Sequence, residues 1–357
     1  SVSRNTGSET FVTSYTYDLA DNVTSITYPS GRTVTYSRDT LGRVSGVSSQ
    51  IPGEASETLA SSVTYEPFGP MAAWTSGNGV ANSRTFDQDY RVTDIEISGA
   101  GMLHDLAYGY NVVDNITSLT DGLNASLSQT FDYDLLDRLS DADGDYGDQS
   151  YTYDANGNRT ERDNATTLVT QTLIYTTGTN QLATEDSQTV AHDGAGNRTS
   201  DEAGTRSYAY NHAGRMTQFT ESSVVQADYT YNAQGQRVKK VRHMGASDFV
   251  RHFFYDQPGQ LIGEYRDNPD GTYAYVDYVW LNGAPLVQEE RSFNSSDVLT
   301  GTQTTWLHVD HLNTPRVGTD DTQTIVWRWD SDPFGVGPAD SDPDNNSTDH
   351  VVLLRFP

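Results

Sequence analysis

The chain has 357 residues, 49 acidic against 22 basic side chains and a formal net charge of −27. This excess of negative charge opposes binding to nucleic acid or to an anionic membrane surface. The length allows a sizeable core, and the absence of cysteine excludes disulfides, thiolate metal sites and cysteine nucleophiles. No apolar run is long enough to span a bilayer, and residues 1–10 lack the basic start and apolar region of a signal peptide. The sequence therefore predicts no membrane insertion.

The balance among polar residues indicates β-structure. Aspartate is abundant and lysine occurs only at Lys239 and Lys240, whereas exposed helices favour glutamate and lysine. Tyr, Thr, Ser, Val and Gly are frequent, and no stretch shows apolar residues at helical spacing over a dozen positions. We expect an all-β chain with many tight turns.

A short unit recurs along the chain and is the strongest feature of the sequence. It consists of two aromatic residues two positions apart, then Asp or Asn, and often Gly three residues further on. Degenerate copies fall near Tyr65 and Tyr175. The Asp or Asn anchors lie 18 to 24 residues apart, or about double that where a copy is degenerate: Asp18, Asp39, Asp87, Asn111, Asp134, Asp154, Asp193, Asn211, Asn232 and Asp256.

Each part of the unit has a structural role, as the copy from Tyr151 to Arg159 illustrates. Tyr151 and Tyr153 point to one face of a strand and can stack on the aromatic pair of the next unit. Asp154 opens a turn through its side chain, and Gly157 supplies the positive φ that closes the hairpin. The arginine that follows favours a planar partner such as the aspartate of its own or a neighbouring turn.

One unit is therefore predicted to be one β-hairpin, and stacked hairpins bury a shared face and satisfy each other's backbone groups. We predict a long, spiralling sheet that forms a partial or complete β-shell. A propeller is the alternative, although its blades need about 40 residues each. The residues expected to build the repeat are Tyr17, Tyr133, Tyr153, Asp154, Gly157, Arg159, Tyr210, Gly214, Arg215, Tyr231, Gly235 and Arg237.

The unit resembles the YD repeat of the Rhs family over about residues 11–265. The later runs 275–286, 306–316 and 325–335 resemble the Rhs-repeat-associated core and contain four of the five tryptophans. These matches predict a YD-repeat array over residues 1–270 and a core-like segment over residues 271–357. The resemblance implies a hollow shell of β-hairpins that encloses a C-terminal cargo, commonly a toxin, in secreted bacterial proteins; teneurins use a similar shell in cell adhesion.

The family core usually continues past an Arg-Phe-Pro sequence, found here as Arg355, Phe356 and Pro357, to a further Asp-Pro motif where self-cleavage occurs. We expect that segment and the cargo to lie beyond Pro357, and we assign no catalytic residue. His308, Asp310 and His311 have metal-ligating side chains, but a core role fits that run better. Asp340, Asp342 and Asp344 have the spacing that begins a calcium loop, yet Gly and Glu are missing from its sixth and twelfth positions. No other cofactor is expected.

The leading hypothesis is a non-enzymatic shell fragment of a secreted or cell-surface bacterial Rhs-type toxin, with a C-terminal toxin or the continuing chain as its partner. The alternative is an extracellular adhesive or filament-forming protein that assembles head to tail through open sheet ends. That protein could also bind carbohydrate on exposed tyrosines, although a tyrosine ladder with a period of two is more often packing. Both hypotheses place the chain outside the cell.

Overall fold

A computed structural model describes residues 2–5, 10–201 and 204–354, with only the backbone of residues 2–5. Arg355, Phe356 and Pro357 lie outside the described residues. The described chain consists of β-strands and one short 3₁₀ helix, Ala125–Leu127. The prediction of an all-β array of hairpins is therefore confirmed. None of the helical structure in the described ranges is long and apolar enough to cross a membrane.

The first sheet has eighteen strands. They are β1 (Val2–Asn5), β2 (Thr10–Tyr17), β3 (Val23–Thr27), β4 (Thr33–Arg38), β5 (Val44–Gln50), β6 (Glu57–Tyr65), β7 (Met71–Ser76), β8 (Ala81–Phe86), β9 (Val92–Ser98), β10 (Met102–Tyr110), β11 (Ile116–Asp121), β12 (Gln129–Tyr133), β13 (Leu139–Asp143), β14 (Gln149–Tyr153), β15 (Arg159–Asn164), β16 (Val169–Tyr175), β17 (Leu182–Glu185) and β18 (Gln188–Thr189).

The second sheet has thirteen strands. They are β19 (Ala191–His192), β20 (Arg198–Asp201), β21 (Arg206–Tyr210), β22 (Met216–Glu221), β23 (Val224–Tyr231), β24 (Arg237–Met244), β25 (Ser247–Tyr255), β26 (Leu261–Asp267), β27 (Tyr273–Leu281), β28 (Ala284–Phe293), β29 (Leu299–Val309), β30 (Pro315–Thr319) and β31 (Ile325–Arg328).

Within each sheet, every strand pairs antiparallel with the next strand in the sequence, so the chain is a continuous meander. The register shifts by one residue beside the turn of most repeat units, as between Thr152 and Tyr153 and between Thr230 and Tyr231. Such bulges bend a strand and increase its twist. Because the shift recurs on the same side of successive hairpins, the sheet curls instead of extending flat.

The curled sheet places late strands on early strands and buries the main core between them. This core includes Phe11, Val34 and Trp74 from the first sheet and Ile262 and Leu286 from the second. The rings of Phe11 and Phe254 lie 4.7 Å apart across the interface. Fully burying an apolar side chain of this size stabilises the fold by about 1.5–3 kcal/mol, so this two-layer region carries most of the hydrophobic stabilisation.

The sheet passes without a break through the predicted boundary near residue 270. β26 and β27 pair directly, with Gly263 opposite Asp277 and Asp267 opposite Tyr273. β27–β29 have 9 to 11 residues and are longer and more buried than β19–β24, which have 2 to 8 residues. The division into residues 1–270 and 271–357 therefore stays a prediction from the sequence resemblance.

Candidate functional site

A turn of the same construction recurs along the sheet, and the copy at Asp154 illustrates it. The Asp154 amide donates to the Asn158 carbonyl at 2.9 Å, and the Gly157 amide donates to the Asp154 carbonyl at 3.1 Å. One carboxylate oxygen of Asp154 accepts bonds from the Asn156 and Asn158 amides, both at 2.9 Å. The other accepts from the Asn158 side chain at 2.8 Å. The aspartate thus satisfies the backbone of a turn that has no neighbouring strand to pair with.

The conformation at the fourth turn position is left-handed. Gly157, Gly214 and Gly235 have φ values of 86°, 68° and 85°. Other turns place Asp137 at 57° and Asn313 at 61° in the same position. Glycine is favoured there because a side chain crowds the backbone at positive φ, and Asp and Asn are the residues that tolerate the strain best.

In seven units, the second aromatic residue fastens that unit to the one before it. The Tyr153 hydroxyl donates to the Leu139 carbonyl at 2.7 Å. That carbonyl belongs to the first residue of the preceding return strand. The same bond recurs, between 2.6 and 3.1 Å, from Tyr65 to Val44, Tyr110 to Val92, Tyr133 to Ile116, Tyr175 to Arg159, Tyr231 to Met216 and Tyr255 to Arg237. We refer to these bonds as the tyrosine clamps.

Sequence reasoning missed the tyrosine clamps, although a signal was present. The second aromatic position is usually Tyr and seldom Phe, which packing alone does not require. Tyr17 and Tyr210 occupy this position as well, and the Tyr17 hydroxyl donates to the Gln257 side chain at 3.0 Å, across the two layers. The position therefore contributes a hydrogen bond in addition to its ring.

The arginines that follow the turns take two different partners. Arg43, Arg91 and Arg138 each donate Nε to the aspartate four residues earlier, at 2.6 to 2.8 Å, as the sequence predicted. The Arg138 guanidinium also lies over the Tyr153 ring, with Cζ 4.6 Å from its centroid. The Tyr153 ring is therefore covered by Arg138 of the preceding unit and not by a second tyrosine.

Arg159 and Arg237 come one residue later in their units and do not take the predicted carboxylate partner. Arg159 lies over the Phe334 ring at 4.7 Å, and Arg237 lies over the Phe253 ring at 4.7 Å. Arg215 stands four residues after Asn211, which offers no charge, and donates to the Gly235 carbonyl at 3.3 Å. The position of the arginine relative to the turn therefore decides whether it pairs with the turn aspartate, whereas a ring contact occurs at either position.

A buried ion network joins the two layers at Arg32, in the turn before β4. The Arg32 guanidinium is 1% exposed and donates Nε to Asp277 at 3.0 Å. It also bonds to Glu289 and, at 3.3 Å, to the partly exposed Glu57. Burial raises the pKa of Glu289, and the arginine opposes that rise. Nearby, the buried Tyr28 hydroxyl donates to the Tyr278 carbonyl at 3.0 Å.

Two of the three metal-ligating side chains singled out at residues 308–311 have hydrogen-bond partners in the fold. His308 is fully buried, contacts Asn82 at 2.8 Å and Thr319 at 3.0 Å, and burial lowers its pKa to about 3. Asp310 accepts the Thr314 amide at 3.0 Å and the Arg316 Nε at 2.8 Å. This geometry leaves His308 neutral and Asp310 bound within a turn.

The carboxylates of the three calcium candidates also accept hydrogen bonds from their own loop. Asp340 accepts the Asp342 amide at 3.1 Å, and Asp342 accepts the Asn346 amide at 2.9 Å. Asp344 accepts the Asn346 side chain at 2.7 Å. Calcium binding at these three aspartates stays a sequence prediction. In the described ranges, the group of three acids whose ligand atoms lie within 4.8 Å of one another is instead Asp94, Glu96 and Asp105.

A cavity of about 250 Å³ lies where the last segment meets β10–β13. Apolar side chains such as Phe131 and Trp329 form much of its wall, together with His104 and Asp332. Burial lowers the pKa of His104 to about 4, so the imidazole is neutral at pH 7. Asp332 pairs with Arg162 at 2.9 Å and accepts the Val336 amide at 2.8 Å. The cavity therefore contains no uncommitted carboxylate at Asp332.

Comparison with known proteins agrees with this geometry. The Teneurin YD-shell family model matches residues 62–348, and the RHS Repeat model matches residues 2–33 and 17–49. No curated protein sequence gave a match.

Two solved structures share the fold. One is a mutant Tc holotoxin pore of Photorhabdus luminescens, at 20% identity and a TM-score of 0.79 over 91% of this chain. The other is TcdB2-TccC3 without its hypervariable C-terminal region, at 20% identity and a TM-score of 0.80 over 92% of this chain. The match spans 18% of each of those chains. By its repeats, its fold and the family match over most of its length, the chain belongs to the Teneurin YD-shell family.

Proposed function

We propose that this chain is a non-enzymatic wall segment of a shell that encloses a polypeptide cargo, in a secreted or cell-surface toxin of the Rhs type. The observation that carries the proposal is the antiparallel meander within each sheet, in which seven units are bonded to the hairpin before them by tyrosine clamps. A wall made in this way has few unpaired backbone groups along its length. Family membership supports the proposal, because the resemblance implies a shell.

The chemistry of the described side chains fits a scaffold better than a catalyst. The turn aspartates are engaged with backbone amides, as at Asp154 and Asp310. The buried acids Asp277 and Glu289 are bound to Arg32. A general acid or base must be able to exchange a proton with a substrate, and these carboxylates are committed to the fold instead.

The test is electron microscopy of the native protein that contains this chain, combined with its intact mass. We expect discrete hollow particles with density inside, and a polypeptide longer than 357 residues. Long polymers built from repeated copies of this chain would contradict the proposal and favour the extracellular filament. Particles without an enclosed volume would contradict it as well.

A second test concerns the partner. If the wall encloses cargo, limited proteolysis of the native particle should leave the enclosed segment intact while exposed tails are cut. We expect Arg32→Met to lose this protection at a lower urea concentration than the wild type, because it weakens the contact between the two layers. An enclosed segment that is cut as fast as in the unfolded protein would show that the wall does not enclose it.

A further inference from the structure

The cavity where the last segment meets β10–β13 contains a buried histidine that has no hydrogen bond within the fold. His104 lines this cavity and is 3% exposed. Among the described residues, no group bonds to either ring nitrogen of His104, and none bonds to the buried Nδ1 of His311 in the same wall. Buried polar groups of native proteins are nearly always bonded, so these nitrogens indicate a partner that enters the cavity.

The charged groups in the wall are already paired, which restricts the charge of that partner. Each carboxylate that lines the cavity lies within 3.4 Å of an arginine: Asp121 and Asp330 pair with Arg328, Asp310 with Arg316, and Asp332 with Arg162. A charged ligand would be buried without a counterion of its own, which is strongly unfavourable. The His104 imidazole is itself neutral at pH 7, because burial lowers its pKa to about 4. The cavity therefore selects a neutral ligand.

The size and the apolar part of the wall favour a flat aromatic ligand. Phe131, Tyr133 and Trp329 line the cavity together with aliphatic side chains such as Leu106 and Leu119. An apolar protein cavity of about 150 Å³ binds benzene. By the same ratio, a volume of about 250 Å³ accommodates about ten non-hydrogen atoms. This is the size of two fused aromatic rings.

The cavity has an open side and a buried side. Leu312 in its wall is 50% exposed, and the side chain of Asp330 is 40% exposed. His104 and Asp310 are each only 3% exposed. A ligand can therefore enter past Leu312 and Asp330 without unfolding of the sheet, and it meets the unbonded imidazole on the buried side.

We propose that this cavity binds a neutral bicyclic aromatic molecule that carries one N–H or O–H group, the class to which indole and 2-naphthol belong. A neutral imidazole has one N–H and one acceptor nitrogen, so His104 accepts the hydrogen bond that the ligand donates. The rings of the ligand replace water against Leu119, Phe131 and Trp329. This inference adds a ligand site to the wall and does not depend on what the wall encloses.

The experiment measures, by equilibrium dialysis, the Kd of three probes that share one ring system: 2-naphthol, naphthalene and 2-naphthoate. Each probe is tested with the whole chain, with His104→Leu and with Leu119→Trp, which places a larger side chain in the cavity. The matched control is His212→Leu, because His212 is exposed in the turn after β21. Circular dichroism establishes that the variants keep the fold.

We expect the wild-type chain to bind 2-naphthol about fivefold more tightly than naphthalene, because only 2-naphthol donates a hydrogen bond to His104. His104→Leu should weaken the binding of 2-naphthol about fivefold and leave that of naphthalene within about twofold. Leu119→Trp should abolish the binding of both probes, and His212→Leu should behave like the wild type. The carboxylate of 2-naphthoate should prevent it from binding to any of the four proteins.

Three results would overturn the proposal. If no probe binds the wild-type chain, the cavity holds water or another polypeptide segment and not a ligand of this class. If both probes bind Leu119→Trp as well as the wild type, they occupy a different part of the surface. Equal binding of 2-naphthol and naphthalene to the wild type would show that His104 does not recognise the ligand, and this comparison holds even if a variant fails to fold.

Discussion

The two-layer region and the strands β19–β24 use the same hairpin unit but are stabilised differently. In the two-layer region, early strands pack on β25–β30 and bury residues such as Val34, Trp306 and Leu286. In β19–β24, the buried apolar side chains among the described residues are Ala227 and Val238. A single-layer sheet has no second sheet packed on its face, so it buries little apolar surface.

The difference indicates that hydrogen bonds contribute a larger share of the stability in β19–β24, where few apolar side chains are buried. In β19–β24 the turns after β21 and β23 satisfy their own backbones through Asn211 and Asn232, and the clamp from Tyr231 to the Met216 carbonyl ties one hairpin to the previous one. Individual bonds of this kind contribute about 1 kcal/mol each, so many are needed to replace one buried core. Repetition supplies them.

The largest expected effect comes from breaking the contact between the layers. Arg32→Met leaves Asp277 and Glu289 buried without their cation, and removing one partner of a buried ion pair destabilises a protein by about 3–5 kcal/mol. Urea denaturation should show this loss as a lower unfolding midpoint. The control is Arg206→Met, since Arg206 and Glu221 are each 41% exposed and an exposed pair contributes less than about 1 kcal/mol. Equal effects of the two variants would contradict the assignment.

Glycine substitutions come next, at Gly235 in the turn after β23 and at Gly157 in the turn after β14 of the first sheet. An added methyl at Gly235 would lie 1.9 Å from the Arg215 guanidinium, whereas nothing lies within 4 Å of one at Gly157. Both residues have positive φ, so Gly157→Ala should cost about 1 kcal/mol of folding free energy and Gly235→Ala about 2 kcal/mol.

The matched variant is Gly157→Asn. It should cost less than Gly157→Ala because asparagine tolerates the left-handed region, as Asn313 does in its own turn. The midpoints of thermal unfolding should fall from Gly157→Asn to Gly157→Ala to Gly235→Ala. A Gly157→Ala protein as stable as the wild type would show that the turn does not hold its positive φ in solution.

A smaller change removes one clamp. Tyr231→Phe deletes the hydroxyl that donates to the Met216 carbonyl at 2.8 Å, and the expected loss is about 1 kcal/mol of stability. Tyr229→Phe is the control in the same strand, where the ring lies beside Arg237. Urea denaturation should separate the two variants, and a larger loss in Tyr229→Phe would refute the role of the clamp.

The smallest effect is the response of the turns to acid. Bonds from Arg138, Asn158 and Asn197 hold the pKa values of Asp134, Asp154 and Asp193 below the ordinary aspartate value. A lowered pKa in the folded state means that the stabilisation is present above the ordinary value of about 4 and is lost as the pH falls through the folded value. Turns with Asn211 or Asn232 have no such dependence.

We therefore expect Asp134→Asn/Asp154→Asn/Asp193→Asn to lose less thermal stability between about pH 5 and pH 3 than the wild type does. Asn211→Asp should act in the opposite sense, because it places a carboxylate four residues before Arg215. If acid affects the triple variant and the wild type equally, carboxylates outside these turns determine acid unfolding.

Local features of the unit could be predicted from sequence because they depend on residues close in the chain. The spacing of Tyr153, Asp154 and Gly157 was enough to predict a strand, an anchored turn and a positive φ. The pairing of Arg138 with Asp134 also followed from proximity. The different partners of Arg159 and Arg237 did not, since a shift of one residue moves a side chain to the other face of the strand.

Contacts between the layers could not be predicted, because they depend on how far the sheet curls. Arg32 meets Asp277 across 245 residues, and Tyr28 meets Tyr278 across 250. Small bulges at successive turns add up to that curvature, and their sum is not visible in any single unit. Exposure of apolar side chains at the hairpin tips, such as Leu19 and Phe68, also needed the structure, because it is a property of the folded turn.

The central claim is that the same hairpin unit is stabilised by a buried core in the two-layer region and mainly by hydrogen bonds in β19–β24. Hydrogen exchange with mass spectrometry of the wild-type chain tests this claim most directly. The account predicts that amides in β26–β29 exchange only through global unfolding, whereas amides in β21–β24 exchange through local opening at a lower free energy. Tyr231→Phe should speed exchange in β21–β24 and leave β26–β29 unchanged. Uniform protection across both regions, or stronger protection in β21–β24, would contradict the account.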